Sequence, residues 1–314
     1  MMHKYRDSLP LGNNKIMLSV LIPIYREDCL ALITEIRQQM ISTGHPFEIL
    51  IGDDSCYSPG EKQTNIPSDL NEVRLIRNSK QLGRSRNRNM LASEAKFPYL
   101  LFMDGDARVH QTDFIEKYLE CLNSELVICG GTAYSELPPK EKTKTLRWVY
   151  GCQRELRTAD ERTNDPYRQF SSFNFLIPSE LFLKIRFAEE FKAYGHEDTY
   201  FGYQLNDAEI PIKHIDNPLL HTGLDTGEEF LRKTEESIRS LDQLMRNKTL
   251  PSDFLSDIRL LRTYKRLKRT GLHVLMRALF RITRSILHRQ LCSSRPRLLW
   301  FDLYKIGYLS EITA

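Results

Sequence analysis

Three pairs of acids and one histidine are the residues whose types and spacing invite chemistry in this 314-residue chain. In "LLFMDGDARV" (100–109) four apolar residues run into Asp104 and Asp106, which only Gly105 separates. Carboxylates this close repel, and placing them uncompensated at the end of a buried strand is expensive. A positive group must stand with them, either an internal Arg or Lys or a bound cation. A second pair, Asp53 and Asp54, closes "FEILIGDDS" (47–55). Glu197 and Asp198 form a third in "AYGHEDTYFGYQL" (193–205), and His221 lies in "NPLLHTGLD" (217–225).

Mg²⁺ and Mn²⁺ take oxygen ligands, Mn²⁺ tolerates some nitrogen, and both commonly bridge phosphates. Asp104 and Asp106 supply carboxylates of that kind, and Gly105 permits a tight turn off the strand. His221 offers a third ligand from far downstream; a purely structural histidine is the alternative. Glu197 and Asp198 stand at a helix start, where they either favour the helix dipole or provide a general base for an incoming hydroxyl.

The elements that must position these groups follow from periodicity. "MLSVLIPIY" (17–25) reads as a strand stopped by Pro23, and 28–43 as a helix with apolar Leu32, Ile33, Ile36 and Met40. Strands over 47–55 and 73–78, a helix over 84–96, the strand 98–104 and a helix over about 112–123 continue the alternation. Further on, 143–161 reads as one charged helix, 170–178 as a strand, 179–186 as a short helix and 212–216 as a strand. Residues 217–225 read as a loop, and 228–247 as an amphipathic helix. Strands alternating with helices predict a doubly wound, mostly parallel α/β sheet. Ligands of such sheets sit beyond the carboxyl ends of the strands. Tyr25, Asp53, Asp54, Asp104 and Asp106 all fall there, and an acidic rim of that kind suits a cation bridging to a polyanion.

Hydrophobic content of 41% and charged content of 27% are those of a globular protein. The net charge of +4 hides an asymmetry. Between Ile258 and Lys305 stand thirteen Lys or Arg and a single acid, Asp302, so this segment carries +12 and the remainder −8. Different partners are expected for the two parts. The six cysteines have neither CxxC nor zinc-ligand spacing, which fits reduced thiols in a cytoplasmic protein. No signal peptide is visible, and no apolar stretch is long enough to span a membrane.

In order, "SVLIPIYRED", "FEILIGDDS", "LGRSRNRNMLASEAKFPYLLFMDGD" and "GHEDTYFGYQL" resemble the successive motifs of family-2 glycosyltransferases with the GT-A fold. The likeness runs from about residue 17 to 247 and is nearest to bacterial, inverting, DxD-type members. The resemblance implies a nucleotide-sugar donor, usually UDP-linked, a glycan or lipid-linked glycan acceptor of bacterial surface-glycan synthesis, and Mn²⁺ or Mg²⁺. Pro23, Tyr25 and Glu27 would line the nucleotide pocket, with Tyr25 against the uracil. Asp54 would accept from the base with Asp53 beside it, and Arg84 or Arg88 would reach the base or the phosphates. Asp104 would face ribose and metal, Asp106 would bind the metal, and His221 would complete its shell. Asp198 would be the general base and Glu197 would hold the acceptor. Two departures touch the pocket: Cys56 stands where the family commonly has glycine, and Met90 where a small residue follows the RN pair.

Two rival readings are weaker on the residues. A nucleotidyltransferase usually shows a Gly-rich phosphate loop after the first strand, and "IPIYRED" has no glycine. A non-catalytic nucleotide-sugar binder has no need of an intact set of metal and base candidates. The sequence divides as an N-terminal extension (1–16), a nucleotide-sugar-binding half (17–134), an acceptor-binding and catalytic half (135–250) and a basic helical tail (251–314). In the tail, a helix from Leu272 sets Leu275, Met276, Leu279, Ile282 and Ile286 opposite Arg277, Arg281, Arg284 and His288. Two arrangements fit: an anionic membrane surface bound by residues 255–314 at the inner face of the plasma membrane, or an apolar stripe docked on the catalytic domain. No nucleic-acid motif is present, and no nucleic-acid partner is expected.

Overall fold

A computed structural model describes residues 15–58, 61, 63–67, 69–122, 127–191, 195–247 and 250–313. The extension expected over 1–16 therefore lies, up to residue 14, outside the described residues. The chain divides into two compact units. The first comprises residues up to 132 together with 157–187 and 204–222, and the second comprises 133–156, 188–203 and 223 onward. These boundaries differ from a cut at 134 and 250, because the basic tail shares one apolar core with earlier segments.

In chain order the first half contains β1 (Leu18–Ile24), α1 (Leu30–Thr43), β2 (Phe47–Asp53), β3 (Val73–Arg77), α2 (Arg84–Glu94), β4 (Tyr99–Met103), β5 (Ala107–Arg108), α3 (Phe114–Cys121), β6 (Val127–Cys129) and β7 (Thr132–Ala133). There follow α4 (Thr145–Tyr150), α5 (Ala159–Thr163), β8 (Asn174–Pro178), α6 (Ser179–Ile185), α7 (Glu197–Asp207), β9 (Ile212–His214) and β10 (Leu219–His221). The chain continues through α8 (Gly227–Arg246), α9 (Ser252–Asp257), α10 (Arg259–Arg269), α11 (Leu272–Leu291) and α12 (Leu298–Ile312).

The first unit is built on a seven-stranded sheet ordered β3-β2-β1-β4-β8-β6-β9, parallel except that β8 runs antiparallel to β4 and β6. This is the mostly parallel α/β architecture that the alternation of elements predicts. Alternate residues of the central strands serve opposite faces. Val20, Ile22 and Ile24 pack with Leu32, Ile36 and Met40 of α1 and Phe114 and Tyr118 of α3. On the other face Phe102 stacks on Phe175, with ring centroids 4.8 Å apart, and meets Phe182 of α6. Burial on both faces explains why these strands read as unbroken apolar runs. A small second sheet, β5-β10-β7, stands at the end of β4.

Two expectations are corrected. Residues 143–161 are not one helix: α4 ends in a π turn at Gly151–Glu155, Leu156 is extended, and Thr158 opens α5 with a capping box to Glu161. That cap restarts the helix rather than continuing it. Residues 219–221, expected in a loop, form β10.

The second unit has its own core, to which Leu146, Phe230, Leu241, Phe254, Leu261, Tyr264, Phe280, Leu291, Phe301 and Tyr304 contribute. Phe230 stacks on Phe301 at 5.4 Å, and Tyr150 meets both rings. The basic tail is thus part of a folded core, and removing residues 255–314 would open that core.

Candidate active site

The rim of the first unit gathers the expected residues at the carboxyl ends of β1, β2 and β4. Pro23, Ile24, Tyr25, Glu27, Asp54, Gly83, Arg84, Asn87, Arg88, Asp104 and Asp106 line a single cavity there. Tyr25 is half exposed, and the Arg26 guanidinium lies over its ring, 5.9 Å from the centroid. Beside it Arg26 holds a left-handed backbone (φ 57°), and its N–H donates to Ser55 Oγ at 2.7 Å.

The paired acids of β2 do different work. Asp53 is buried, and its Oδ1 accepts from Ser55 N at 3.1 Å, setting the turn that holds Arg26. It does not line the cavity, so a direct part in nucleotide binding gives way to a positioning one. Asp54 does line it. Its Oδ1 accepts from Leu82 N (2.7 Å) and Asn78 Nδ2 (3.0 Å), and its Oδ2 from Gly83 N (2.8 Å). Three donors already engage this carboxylate, and one lone pair of Oδ2 is left for a ligand. Asp54 thereby fixes the loop that leads into α2.

Arg88 answers the question raised by the two aspartates after β4. Its side chain is 2% exposed and pairs with Asp104 through Nη2. The guanidinium also lies over the Phe187 ring, 5.6 Å from its centroid. Nε and Nη1 are buried with no hydrogen-bond partner among the described residues. A buried cation with unpaired donors is costly on its own, and an anion brought against it in the cavity would offset that cost. Asn87, which the motif reading passed over, donates to Gly52 O at 2.8 Å and so seats α2 on β2.

Gly105 is required by space. A Cβ there would collide with Ile24 Cγ2 and approach Glu27 Oε2 to 3.1 Å. The tight turn sends β5 back to pair antiparallel with β10, with His221 opposite Ala107. Thr222 fastens this pairing by donating from N (2.9 Å) and Oγ1 (2.7 Å) to Asp106 O. The result sets His221 Nε2 3.1 Å from Asp106 Oδ2, while Phe173 backs the imidazole at 5.3 Å. Arg162 anchors the segment before β10 by donating to Cys129 O, Gly130 O and Ile215 O and to His214 Nδ1. His214 Nε2 in turn donates to Pro166 O at 3.0 Å. Burial lowers the His214 pKa to about 4, so the ring is neutral and accepts from the guanidinium.

Among the described residues no three His, Cys, Asp or Glu side chains are grouped as a complete metal site. Asp104 is drawn to Arg88, which leaves Asp106 and His221 as the paired donors. Their 3.1 Å separation suits two adjacent ligands of one octahedral ion, which at roughly 2.1 Å bonds stand about 3 Å apart. A carboxylate with an imidazole is also a donor set that Mn²⁺ accepts.

In the second unit, the turn before α7 runs through Gly195 (φ 101°) and His196 (φ 72°). Positive φ is costly for a residue with a Cβ, so this turn is locally strained at His196. Glu197 is buried, and its Oε2 accepts from Gly195 N at 3.0 Å, bracing the turn. Asp198 is partly exposed, with Oδ1 accepting from Thr199 N at 2.9 Å. Glu197 is thus a bracing group and Asp198 the more accessible carboxylate.

The family model for glycosyl transferase family 2 matches residues 19–183, slightly more than half of the chain. No curated protein matches the sequence. Solved structures similar to the chain include a mannosyltransferase, PcManGT from Pyrobaculum calidifontis, in complex with GDP-Man and Mn²⁺. It is 13% identical, with a TM-score of 0.49 over 76% of this chain and 67% of that one. S. aureus TarS is 16% identical, with a TM-score of 0.43 over 72% of this chain and 40% of that one. The TarS fragment 1–349 is 15% identical, with a TM-score of 0.43 over 95% of this chain and 91% of that one.

Proposed function

The chain belongs to glycosyl transferase family 2, and from that premise we propose that it moves a sugar from a UDP-linked donor to a hydroxyl of a glycan or lipid-linked glycan, inverting the anomeric carbon. The observation that carries the reading is Arg88, a buried cation with two unused donors at the rim of a cavity that Tyr25, Asp104 and Asp106 also line. A diphosphate has the charge and the acceptor oxygens that such a group lacks.

In this reading Tyr25 stacks on the base and the remaining lone pair of Asp54 accepts from it, while Arg84 and Arg88 bind phosphate oxygens. Asp104, held by Arg88, takes ribose hydroxyls, and Glu27 and Pro23 shape the floor beside Gly105. Asp106 and His221 would hold Mn²⁺ or Mg²⁺, which when bound acts as a Lewis acid toward the departing diphosphate. Asp198 removes the proton from the acceptor hydroxyl as that oxygen attacks the anomeric carbon opposite the leaving group. A nucleoside diphosphate leaves without needing a proton, so one carboxylate base suffices where a hydrolase needs two carboxyl groups. The acceptor belongs to bacterial surface-glycan synthesis in this proposal.

The test is a screen of nucleotide sugars for nucleoside diphosphate release with Mn²⁺, with Mg²⁺ and with chelator. Release that requires the ion, with Asp198→Asn keeping donor binding and losing about 10²–10⁴-fold in turnover, is the expected result. Release of pyrophosphate in place of nucleoside diphosphate would overturn the reading in favour of nucleotidyl transfer. Loss of donor affinity with intact turnover in Asp198→Asn would remove that residue from the base's role.

A further inference from the structure

The tail helix α11 is built the opposite way from an ordinary surface helix. Taking 100° per residue from Leu272, its buried residues Phe280, Leu287 and Leu291 lie at roughly 60–100°. Val274, Leu275, Leu279, Ile282 and Ile286 lie at roughly 200–340°, on the side turned away from the core. Ile282 is 77% and Ile286 67% exposed, and Val274, Leu275 and Leu279 are about half exposed. Leu299 and Trp300, at the start of α12, are also exposed. Two of its arginines, Arg281 and Arg284, lie on the flank, where acids of the same unit neutralise them, while the exposed Arg289 stands at the C-terminal end of the stripe, at about 260°. Arg284 pairs with Glu235 (2.9 Å) and Glu311 (3.5 Å), and Arg281 with Glu311 (3.3 Å). A folded unit that spends its ion pairs on the flank and leaves a contiguous aliphatic stripe outward has a surface made for an apolar partner.

We propose that the second unit docks on an anionic lipid surface through the exposed face of α11, with the basic residues of α10 and α11 holding the headgroups. Charge selects this occupant. The segment from Ile258 to Lys305 carries +12, of which Glu235 and Glu311 offset two, so a second copy meeting the same face would still set two strongly positive segments together. An anionic bilayer neutralises them, and each basic residue near the surface gains on the order of 1 kcal/mol. Aliphatic side chains of a surface helix enter the boundary between headgroups and acyl chains. Among the described residues no helix is long and apolar enough to cross a membrane, so the contact proposed is one of surface docking. The inference stands apart from the transfer reaction, since it concerns a face of the second unit and needs no donor.

The experiment is sedimentation of the full chain with phosphatidylcholine vesicles and with vesicles containing phosphatidylglycerol, at low and high salt. Binding to the anionic vesicles only, weakened by salt, is expected. Ile282→Glu with Ile286→Glu should lower it by about 10²-fold or more while the circular dichroism spectrum stays unchanged, because both side chains are exposed. Arg262→Gln, Lys265→Gln and Arg266→Gln together, all exposed positions on α10, should lower it by on the order of 10²-fold at low salt. Absence of binding, equal binding to both vesicle types, or full binding by the double glutamate variant would overturn the proposal. So would a solution dimer of the wild-type chain that the double variant converts to monomer without any vesicle binding.

Discussion

Replacing Arg88 by methionine separates two roles that its burial alone does not distinguish. If Arg88 were mainly a structural clamp, removing it would strand the Asp104 carboxylate, and breaking a fully buried pair costs roughly 3–5 kcal/mol. Asp104, however, is 19% exposed on the side chain and faces the cavity, so water can take over its solvation. Arg88 itself brings a cost that the variant removes, namely a buried charge with Nε and Nη1 unpaired. Methionine is also of comparable length and packs against Phe187. These terms offset one another, and the expected change in unfolding free energy is within about 1–2 kcal/mol. Donor binding should suffer more. Charge-assisted hydrogen bonds contribute about 1.5–3 kcal/mol, so loss of the cation should weaken nucleoside diphosphate binding by roughly 10–10²-fold. Urea denaturation and calorimetric titration with UDP measure the two quantities on one preparation. A stability loss above about 3 kcal/mol with unchanged UDP affinity would refute the reasoning and make Arg88 a clamp.

Two further outcomes follow from the first unit. Gly105→Ala should destabilise the fold by about 1–3 kcal/mol, the usual cost of overpacking, because the new Cβ meets Ile24 Cγ2; an unchanged urea midpoint and unchanged UDP affinity would contradict it. His214 has a folded pKa of about 4, below its ordinary value near 6.5, so the unfolded chain takes up its proton first as pH falls. Stability from this group is full above about pH 6.5 and is lost down to about pH 4, by up to about 3 kcal/mol. Urea midpoints at several pH values should show that loss, and His214→Gln should flatten the curve over the same window.

What the sequence made legible was the local part of the design. Acids at strand ends, an apolar run before each of the first two pairs and the alternation of elements located the rim and the sheet, because each is written within a few residues. The demand for a positive group beside Asp104 and Asp106 was legible too, and the structure answers it with Arg88, one turn into α2. The meeting of Asp106 with His221 has no such local sign. It depends on β5 pairing with β10, and strands of two and three residues far apart in the chain carry no periodicity to read. The unlike fates of Asp53 and Asp54 were hidden for a related reason. Adjacent identical carboxylates point to opposite sides of a strand end, and only the loops that supply Ser55 N on one side and Leu82 and Gly83 N on the other decide their work.

The tail shows a different limit. Amphipathicity gives two faces of a helix without saying which one the fold keeps. For α11 the choice was made by acids that lie elsewhere, Glu235 on α8 and Glu311 on α12, which draw Arg281 and Arg284 to the flank. Once those arginines are neutralised within the unit, burying the apolar stripe would require turning the helix and breaking three ion pairs. Phe280, Leu287 and Leu291 already fill the core from the face beside them. The aliphatic stripe is therefore outward because the core is complete without it. A stripe that the fold does not use for its own stability can change without unfolding the unit. That freedom makes Ile282 and Ile286 a fair place to ask what the surface is for.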